Sequence, residues 1–215
     1  MTEEKYEYRK KEKNIYLPKK KPIIIDIPTF KYITVKGKGS PSEKEFSTCI
    51  EALYSVSYTI RMMPKKGIDI KDYYIYTVYP LEGIWDLSEK GRNSKVLLKE
   101  EFIYTLMIRQ PDFVTEKVFL EALKMVQKKK SNSKLKELKL ESITDGLSVQ
   151  MMHIGSFDNE SESFSSMKKY IIEKNYKIKN LAHREIYLSD FRKVKTEKLK
   201  TVLRYTLEKK EEKNV

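Results

Sequence analysis

The chain has 215 residues, of which 40% are hydrophobic and 11% aromatic. This composition is typical of a globular protein with a sizeable core and excludes a disordered chain. The 44 Lys and Arg residues outnumber the 31 Asp and Glu residues and give a net charge of +13, which alone would suit a polyanionic partner. However, the lysines are interleaved with acidic residues and cluster only at 10–13, 19–21 and 128–130. The pattern therefore argues against nucleic-acid binding and for a solvated surface.

The cellular location is constrained by the lack of a long apolar segment and by the single cysteine. No window approaches the roughly 20 apolar residues that span a bilayer, and the first 21 residues lack the apolar core of a signal peptide. Cys49 is the only cysteine, so no intramolecular disulfide can form. Its place on the apolar side of a predicted helix indicates a buried thiol. We expect a cytoplasmic protein that does not associate with membranes.

The first predicted elements follow a basic N-terminal arm, residues 1–27, which has no clear periodicity. The β-branched and aromatic run Phe30–Val35 predicts a strand that ends at Gly37. Ser42 and Glu45 have the spacing of a capping box, which predicts a helix start. The helix has an apolar stripe and ends near Pro64 and Gly67; the stripe comprises Phe46, Cys49, Ile50, Leu53, Val56, Ser57 and Ile60.

Two further strands, Tyr73–Tyr79 and Phe102–Ile108, complete a strand-helix-strand-strand unit. A connecting helix is predicted at about 113–130, opened by Asp112 or Thr115.

The same order then recurs from Leu147–Ile154 onward, where a strand precedes a helix capped by Asp158 or Ser161. The helix carries the stripe Phe164, Met167 and Ile171, and the strands His183–Leu188 and Lys200–Leu207 follow.

The repeated order predicts an α+β fold. Two such units can pair into an antiparallel sheet with helices on one face and a groove on the other. The predicted domain covers residues 28–210, with repeat one at about 28–110 and repeat two at about 140–208.

The segment His183–Asp190 is the strongest candidate for chemistry. Strand alternation places Ile186 and Leu188 on one face and His183, Glu185 and Tyr187 on the other. A carboxylate flanked by rings suits a cationic or polarised organic molecule, because the charge and the ring quadrupoles attract positive character together. A solvated sheet face is the alternative for this strand taken alone.

Other kinds of site are excluded by the motifs. Gly37-Lys38-Gly39-Ser40 has neither the spacing nor the order of a phosphate-binding loop, and no Gly-x-Gly-x-x-Gly or Gly-x-Ser-x-Gly is present. Two distant histidines and one cysteine make a transition-metal site improbable. We expect no cofactor and no metal.

Aromatic residues are abundant, with 15 Tyr, 8 Phe and 1 Trp. Such amphipathic rings suit adaptable binding, although many of them should pack in the core. The strand Phe102–Ile108 is apolar on both faces, so a ligand or another part of the chain should cover its second face.

Several motifs in order resemble the GyrI-like small-molecule-binding domain family over residues 28–207. They are Pro80–Trp85, Met107–Thr115, His153–Asp158, His183–Asp190 and Lys198–Arg204. The resemblance implies tandem strand-helix-strand-strand units with pseudo-twofold symmetry and a ligand groove between them. Arg184 departs from the family pattern, which often has a second His there, but Arg184 should point away from Glu185.

The family resemblance also implies a function. A similar stand-alone branch is associated with hydrolysis of cyclopropane-bearing DNA-alkylating natural products, which would make this chain a detoxifying hydrolase. Glu185 would be the groove glutamate and water-activating base, and the Tyr187 hydroxyl would donate to the developing oxyanion of the ligand. The ligand-binding candidates are Trp85, Tyr54, Tyr58, Tyr76, Phe102, Tyr104, Met107, His183 and Tyr205.

Two alternatives stay open at this point. A non-catalytic module would sequester or sense the ligand and act through a protein partner, since the chain before Pro28 is too short and irregular for a DNA-binding helix-turn-helix. A gyrase-inhibitor role is allowed by the family, but no residue specifically supports it.

Overall fold

The computed structural model describes residues 4–190 and 193–210, so the first three residues of the predicted arm lie outside it. The fold is α+β, as predicted. The strands are β1 (Ile23–Lys38), β2 (Leu81–Leu87), β3 (Phe102–Gln110), β4 (Lys139–Ile154), β5 (Tyr176–Ile178), β6 (His183–Tyr187) and β7 (Lys200–Lys209). The helices are α1 (Tyr8–Lys11), α2 (Lys13–Tyr16), α3 (Lys44–Met62), α4 (Glu89–Arg92), α5 (Glu116–Gln127) and α6 (Glu160–Glu173).

The chain divides into two compact units. The first unit comprises residues up to 11 together with 30–143, and the second comprises 12–29 together with residues from 144 onward.

In the first unit, β3 pairs antiparallel with both β1 and β2. Ile33 of β1 lies opposite Ile108, and Trp85 of β2 lies opposite Tyr104. Helix α3 buries its predicted stripe except for the half-buried Ile50, and burial raises the pKa of the fully buried Cys49 to about 11. The thiol is therefore a packing group, as predicted. Thr115 caps α5 by accepting a hydrogen bond from the amide of Val118.

Two predictions for the first unit are wrong. The run Tyr73–Tyr79 is not a strand of the sheet, and the strand lies at Leu81–Leu87 instead. The tyrosine run is extended, and its pairing in the described residues is an isolated bridge between Tyr76 and Tyr6. Tyrosine favours extended backbone, and this run adopts it without forming a continuous row of hydrogen bonds to a neighbouring strand. The capping box also fails, because Glu43 is the N-cap of α3 and its side chain accepts from the amide of Ser40.

The N-terminal segment packs rather than extending into solvent. Tyr8 is buried in the first unit, where its ring stacks on Tyr79 with the centroids 5.2 Å apart. Tyr16 is buried in the second unit. The described part of this segment therefore contributes to the core of both units, and β1 already begins at Ile23.

In the second unit, β7 pairs antiparallel with β4, β5 and β6. Helix α6 packs on this sheet through Met167 and Ile171, which share a buried cluster with Val149, Leu203 and Tyr205. The 3.6-residue spacing of the α6 stripe and the two-residue alternation of β4 and β7 produce this core.

Strand register fixes the direction of the β6 side chains. Glu185 lies opposite Leu203, and Leu203 packs with Met167 of α6. Directly opposed residues point to the same face of a sheet, so Glu185 lies on the face that α6 covers. The expectation that Glu185 would face away from the helices is wrong for this unit.

Within residues 4–190 and 193–210, none of the helices combines the length and apolar character that crossing a bilayer requires.

Candidate functional site

Glu185 is held by its two neighbours on the same face of β6. The His183 Nε2 atom lies 2.9 Å from one carboxylate oxygen of Glu185, and the Tyr187 hydroxyl donates to the other at 2.8 Å. Strand alternation brings these side chains together, which confirms the predicted alternation. The side chains of Glu185 and His183 remain 11% and 21% exposed, so the carboxylate is largely enclosed but reachable.

A second carboxyl group faces Glu185 from α6. Glu160 is 7% exposed, and its carboxyl group makes a hydrogen bond to Glu185. Burial, followed by the charge and the hydrogen bond of Glu185, raises the pKa of Glu160 to about 9. A raised pKa favours the neutral form of Glu160, which places a possible hydrogen-bond donor beside the Glu185 carboxylate.

Aromatic rings pack against the two side chains that bind Glu185, within the second unit. The Phe164 ring lies 4.7 Å from the His183 ring and 5.4 Å from the Tyr205 ring, measured between centroids. The Phe157 ring makes an edge contact with Tyr187 at 5.9 Å. A carboxylate walled by ring faces and edges favours an organic ligand with positive or polarised character.

The opposite face of the same strands carries a buried ion-pair network. Asp145 accepts hydrogen bonds from Arg184 at 2.7 Å and from Arg204 at 2.8 Å. Arg204 also donates twice to the side-chain oxygen of Gln150, and Gln150 donates to the backbone carbonyl of Asn14. Burial alone would raise the pKa of Asp145, but the two guanidinium groups outweigh it and lower the pKa. This network is a structural element in which opposite buried charges compensate each other.

Three predicted binding residues form an aromatic cluster in the first unit. Trp85 contacts Phe102 and Tyr104 at ring distances of 5.5 and 5.3 Å, and Phe46 of α3 packs against Trp85 and Tyr104. A Cβ atom at Gly37 would overlap the Tyr104 ring, so the glycine allows this close approach. The Tyr104 hydroxyl is buried without a hydrogen-bond partner in the described residues, and burial raises its pKa.

The remaining candidates have different surroundings. Tyr76 is buried against Tyr73, Tyr74 and Phe113, and Met107 is fully buried in β3. Tyr54 and Tyr58 contact each other on α3, where Tyr58 is half-exposed. The predicted residues thus lie in four places in the first unit and in one cluster, at Glu185, in the second.

A separate pocket of about 270 Å³ opens in the second unit beside His153 and Ser163, with Lys20 and Met152 also in its lining. His153 is buried, with Nδ1 at 3.0 Å from the Ser163 hydroxyl and Nε2 at 2.9 Å from the carbonyl of Ser156. Both ring nitrogens are therefore used in joining β4 to α6 and its preceding turn, which explains the His153 motif as a structural one.

Sequence reasoning missed Glu160 and the two phenylalanines beside Glu185. A usable signal was present, because Glu160 precedes Phe164, Met167 and Ile171 at spacings of four, seven and eleven residues. A glutamate on the core-facing stripe of a helix requires a partner inside the protein. Only the fold could identify that partner as Glu185.

The comparisons with known proteins bear on this geometry. The model of the GyrI-like small molecule binding domain matches residues 20–205. The chain belongs to this family. No curated protein matches the chain.

Solved structures extend the likeness. A hydrolase from Listeria innocua is similar at 34% identity with a TM-score of 0.86, over 95% of this chain and 100% of that one. An uncharacterized conserved protein from Listeria innocua has 35% identity and a TM-score of 0.87 over the same shares of the two chains. The EcmrR C-terminal domain shares the fold at 11% identity and a TM-score of 0.55, covering 88% of this chain and 98% of that one.

Proposed function

We propose that this protein binds an aromatic, polarised organic molecule at Glu185 and hydrolyses it, with cyclopropane-bearing alkylating natural products as the substrate class and detoxification as the role. The observation that carries the proposal is the Glu185 carboxylate, largely buried, hydrogen-bonded at both oxygens and walled by rings. The similarity of the chain to a Listeria innocua protein described as a hydrolase supports a catalytic function. The repeated strand-helix-strand-strand order, interpreted as an internal duplication, is part of the same proposal.

Glu185 has the capacity to activate one water molecule. A carboxylate offers about four acceptor positions, and His183, Tyr187 and Glu160 occupy three of them. The fourth is available to a water that would donate to Glu185. The three donors also fix the direction of the carboxylate, which is the positioning that general-base catalysis needs.

The proposed reaction balances with water as the only co-reactant. Glu185 takes a proton from the water while the water oxygen bonds to a cyclopropane carbon. The strained carbon-carbon bond breaks, and its electron pair moves to a conjugated carbonyl oxygen of the ligand, which becomes an oxyanion. Glu185 then returns its proton to solvent, and solvent protonates the oxyanion.

The structure changes the role we assign to Tyr187. Its hydroxyl hydrogen is directed at Glu185, so it is not free to donate to the developing oxyanion. We assign Tyr187 the task of orienting Glu185 and of covering the ligand with its ring, which Phe157 supports.

The test is incubation of the protein with a cyclopropane-containing alkylator, followed by mass analysis of the small molecule. Wild type should yield the ring-opened, water-added product, and Glu185→Gln should yield none above background while still binding the ligand. Glu162→Gln is the matched control, because Glu162 is an exposed glutamate of α6. Unchanged turnover in Glu185→Gln would contradict the assignment of Glu185 as the base.

The same experiment separates hydrolysis from sequestration. If unreacted alkylator co-purifies with wild type and no product forms, the proposed hydrolysis is wrong and a binding module is the correct description. Loss of that binding in Glu185→Gln would then assign Glu185 to ligand recognition alone.

A further inference from the structure

The Glu160 carboxyl group contacts Glu185 in the function proposed above, but its buried position is costly for an ionisable group. It is 7% exposed, and a buried ionisable group is retained only when it is neutral or compensated. Its hydrogen-bonding neighbour on β6 is another carboxyl group rather than a cation. Two carboxyl groups in contact cannot both carry full charge in a site of low dielectric constant.

We propose that Glu160 and Glu185 form a single proton-sharing unit, in which Glu160 holds the proton in the resting protein and thereby positions Glu185 as the base. This inference rests on the proposed function for its catalytic consequence, but the shared proton does not require turnover. Glu160 does not touch the reacting atoms, so it is a positioning residue.

The geometry gives the two carboxyl groups unequal tasks. The two residues are buried alike, at 7% and 8% exposed, but Glu185 is bound by His183 and Tyr187. In the described part of the chain, the Oε1 atom of Glu160 is buried and has no hydrogen-bond partner. The donors that stabilise a negative charge therefore lie on Glu185, whereas the oxygen without a partner lies on Glu160. This difference favours Glu160 as the residue that holds the proton.

The surroundings favour one negative charge on the pair and disfavour two. The pair lies at the first turn of α6, where the free amides and the helix dipole stabilise a single anion. Asp158, in the turn before α6, adds a further negative charge close to Glu160. His183 and Tyr187 contact Glu185, while His153 of β4 bonds Ser163 one turn further along α6. No arginine or lysine was found paired with either glutamate in the described residues.

Glu160 affects the reaction through the number of protons that the pair holds at each step. In the resting state the pair holds one proton, and Glu185 is an oriented carboxylate. When Glu185 takes a proton from water, the pair holds two protons and becomes neutral, and it returns to one proton when Glu185 releases its proton. Removal of the remaining proton at alkaline pH places two charges side by side and pushes Glu185 away from its oriented position.

A direct test needs no substrate. Infrared difference spectra recorded while wild type is titrated from about pH 7 to about pH 10.5 should show loss of a carboxylic-acid carbonyl band, with a midpoint near the pKa of about 9. The band should be absent in Glu160→Gln and unchanged in Glu162→Gln, an exposed glutamate on the same helix. Absence of any titrating carboxylic acid in wild type would overturn the inference.

Glu185→Gln supplies the decisive comparison and does not depend on Glu160→Gln folding. Removing the negative partner should move the midpoint of the Glu160 band to lower pH by at least about one unit, because the neighbouring charge and its hydrogen bond are among the causes of the raised pKa. An unmoved midpoint would mean that burial alone protonates Glu160 and that no proton is shared.

The pH profile of turnover connects the pair to the reaction. Wild-type kcat/KM should fall about tenfold per pH unit above the midpoint, and Glu160→Gln, whose amide still donates to Glu185, should lack that fall. If the fall persists in Glu160→Gln, the positioning role is wrong. If the band titrates and shifts as expected but no product forms at any pH, the shared proton stands and the proposed hydrolysis fails.

Discussion

Two adjacent residues of β6, Arg184 and Glu185, are buried to a similar degree but are accommodated in different ways. Arg184 is 3% exposed and Glu185 is 8% exposed, and they point to opposite faces of the sheet. Arg184 meets Asp145, so opposite charges compensate each other. Glu185 meets Glu160, so a proton must remove one of two like charges. The first arrangement stabilises the fold, and the second leaves a carboxylate that can exchange a proton.

The hydrogen-bond partners of Asp145 and Glu185 distinguish a carboxylate with a structural role from one with a functional role. Asp145 uses both carboxylate oxygens on Arg184 and Arg204. Glu185 accepts three hydrogen bonds from groups that are neutral or titratable and keeps one acceptor position. A buried carboxyl group with a raised pKa, such as Glu160, is typical of functional sites, whereas ion-pair networks also perturb pKa values without any catalytic role.

The largest effect on stability should come from Asp145→Asn. The change leaves the guanidinium groups of Arg184 and Arg204 buried without their anionic partner, which costs about 3–5 kcal/mol. Chemical denaturation should therefore show a free energy of unfolding lower by that amount. Asp26→Asn, at an exposed position of β1, is the matched control and should change it little. A loss of under about 1 kcal/mol would refute the structural role of the network.

Acidification should weaken the same ion-pair network. The pKa of Asp145 is lower in the folded chain than its ordinary value, so its contribution is present above the unfolded pKa and is lost as pH falls through the folded pKa. Wild-type stability should drop on acidification in that range, and Asp145→Asn should lack this part of the drop.

A smaller effect of opposite pH dependence is expected for Glu160→Gln. The pKa of Glu160 is raised from 4.5 to about 9 in the folded chain, so its stabilising contribution is present below the unfolded pKa and is lost as pH rises toward the folded one. Glu160→Gln removes that loss. Denaturation at about pH 9 should find it more stable relative to wild type than at about pH 7, by about 1–3 kcal/mol.

The matched control for this variant is Glu162→Gln, which should show no such pH-dependent difference because Glu162 is exposed. A difference between Glu160→Gln and wild type that is the same at both pH values would contradict protonation of Glu160 in the folded chain.

The smallest effect is expected for Tyr187→Phe, which removes one of three donors to Glu185 and keeps the ring. Stability should change by about 1 kcal/mol, and turnover should fall about tenfold because the carboxylate loses one orienting contact. Tyr170→Phe, on a half-buried residue of α6, controls for loss of a tyrosine hydroxyl. A complete loss of turnover would return Tyr187 to a direct catalytic role.

Much of the fold was predictable because its signals are local. The stripe of α3, the cap of α5 at Thr115 and the alternation of β6 each depend on residues close in sequence, and the structure has all three. The strand predicted at Tyr73–Tyr79 failed, because a tyrosine-rich run satisfies strand propensity while Leu81–Leu87 forms the ladder with β3. Propensity alone does not choose between adjacent extended segments.

The candidate site was predictable in part. Glu185, His183 and Tyr187 could be placed together because alternation along one strand determines their common face. Glu160 could not be paired with Glu185, since the two are separated by 25 positions in sequence and meet only when α6 packs on the sheet. The network of Asp145 with Arg184 and Arg204 was missed for the same reason.

The claim that Glu185 activates water is tested most directly by a single turnover of a cyclopropane-containing alkylator in water enriched in oxygen-18, followed by mass analysis of the product and of the peptide that contains Glu185. The account predicts the label in the ring-opened product and none in Glu185, because the water oxygen bonds to the ligand directly. An unlabelled first product with the label in the Glu185 carboxylate would contradict it, since Glu185 would then be a nucleophile that forms an ester.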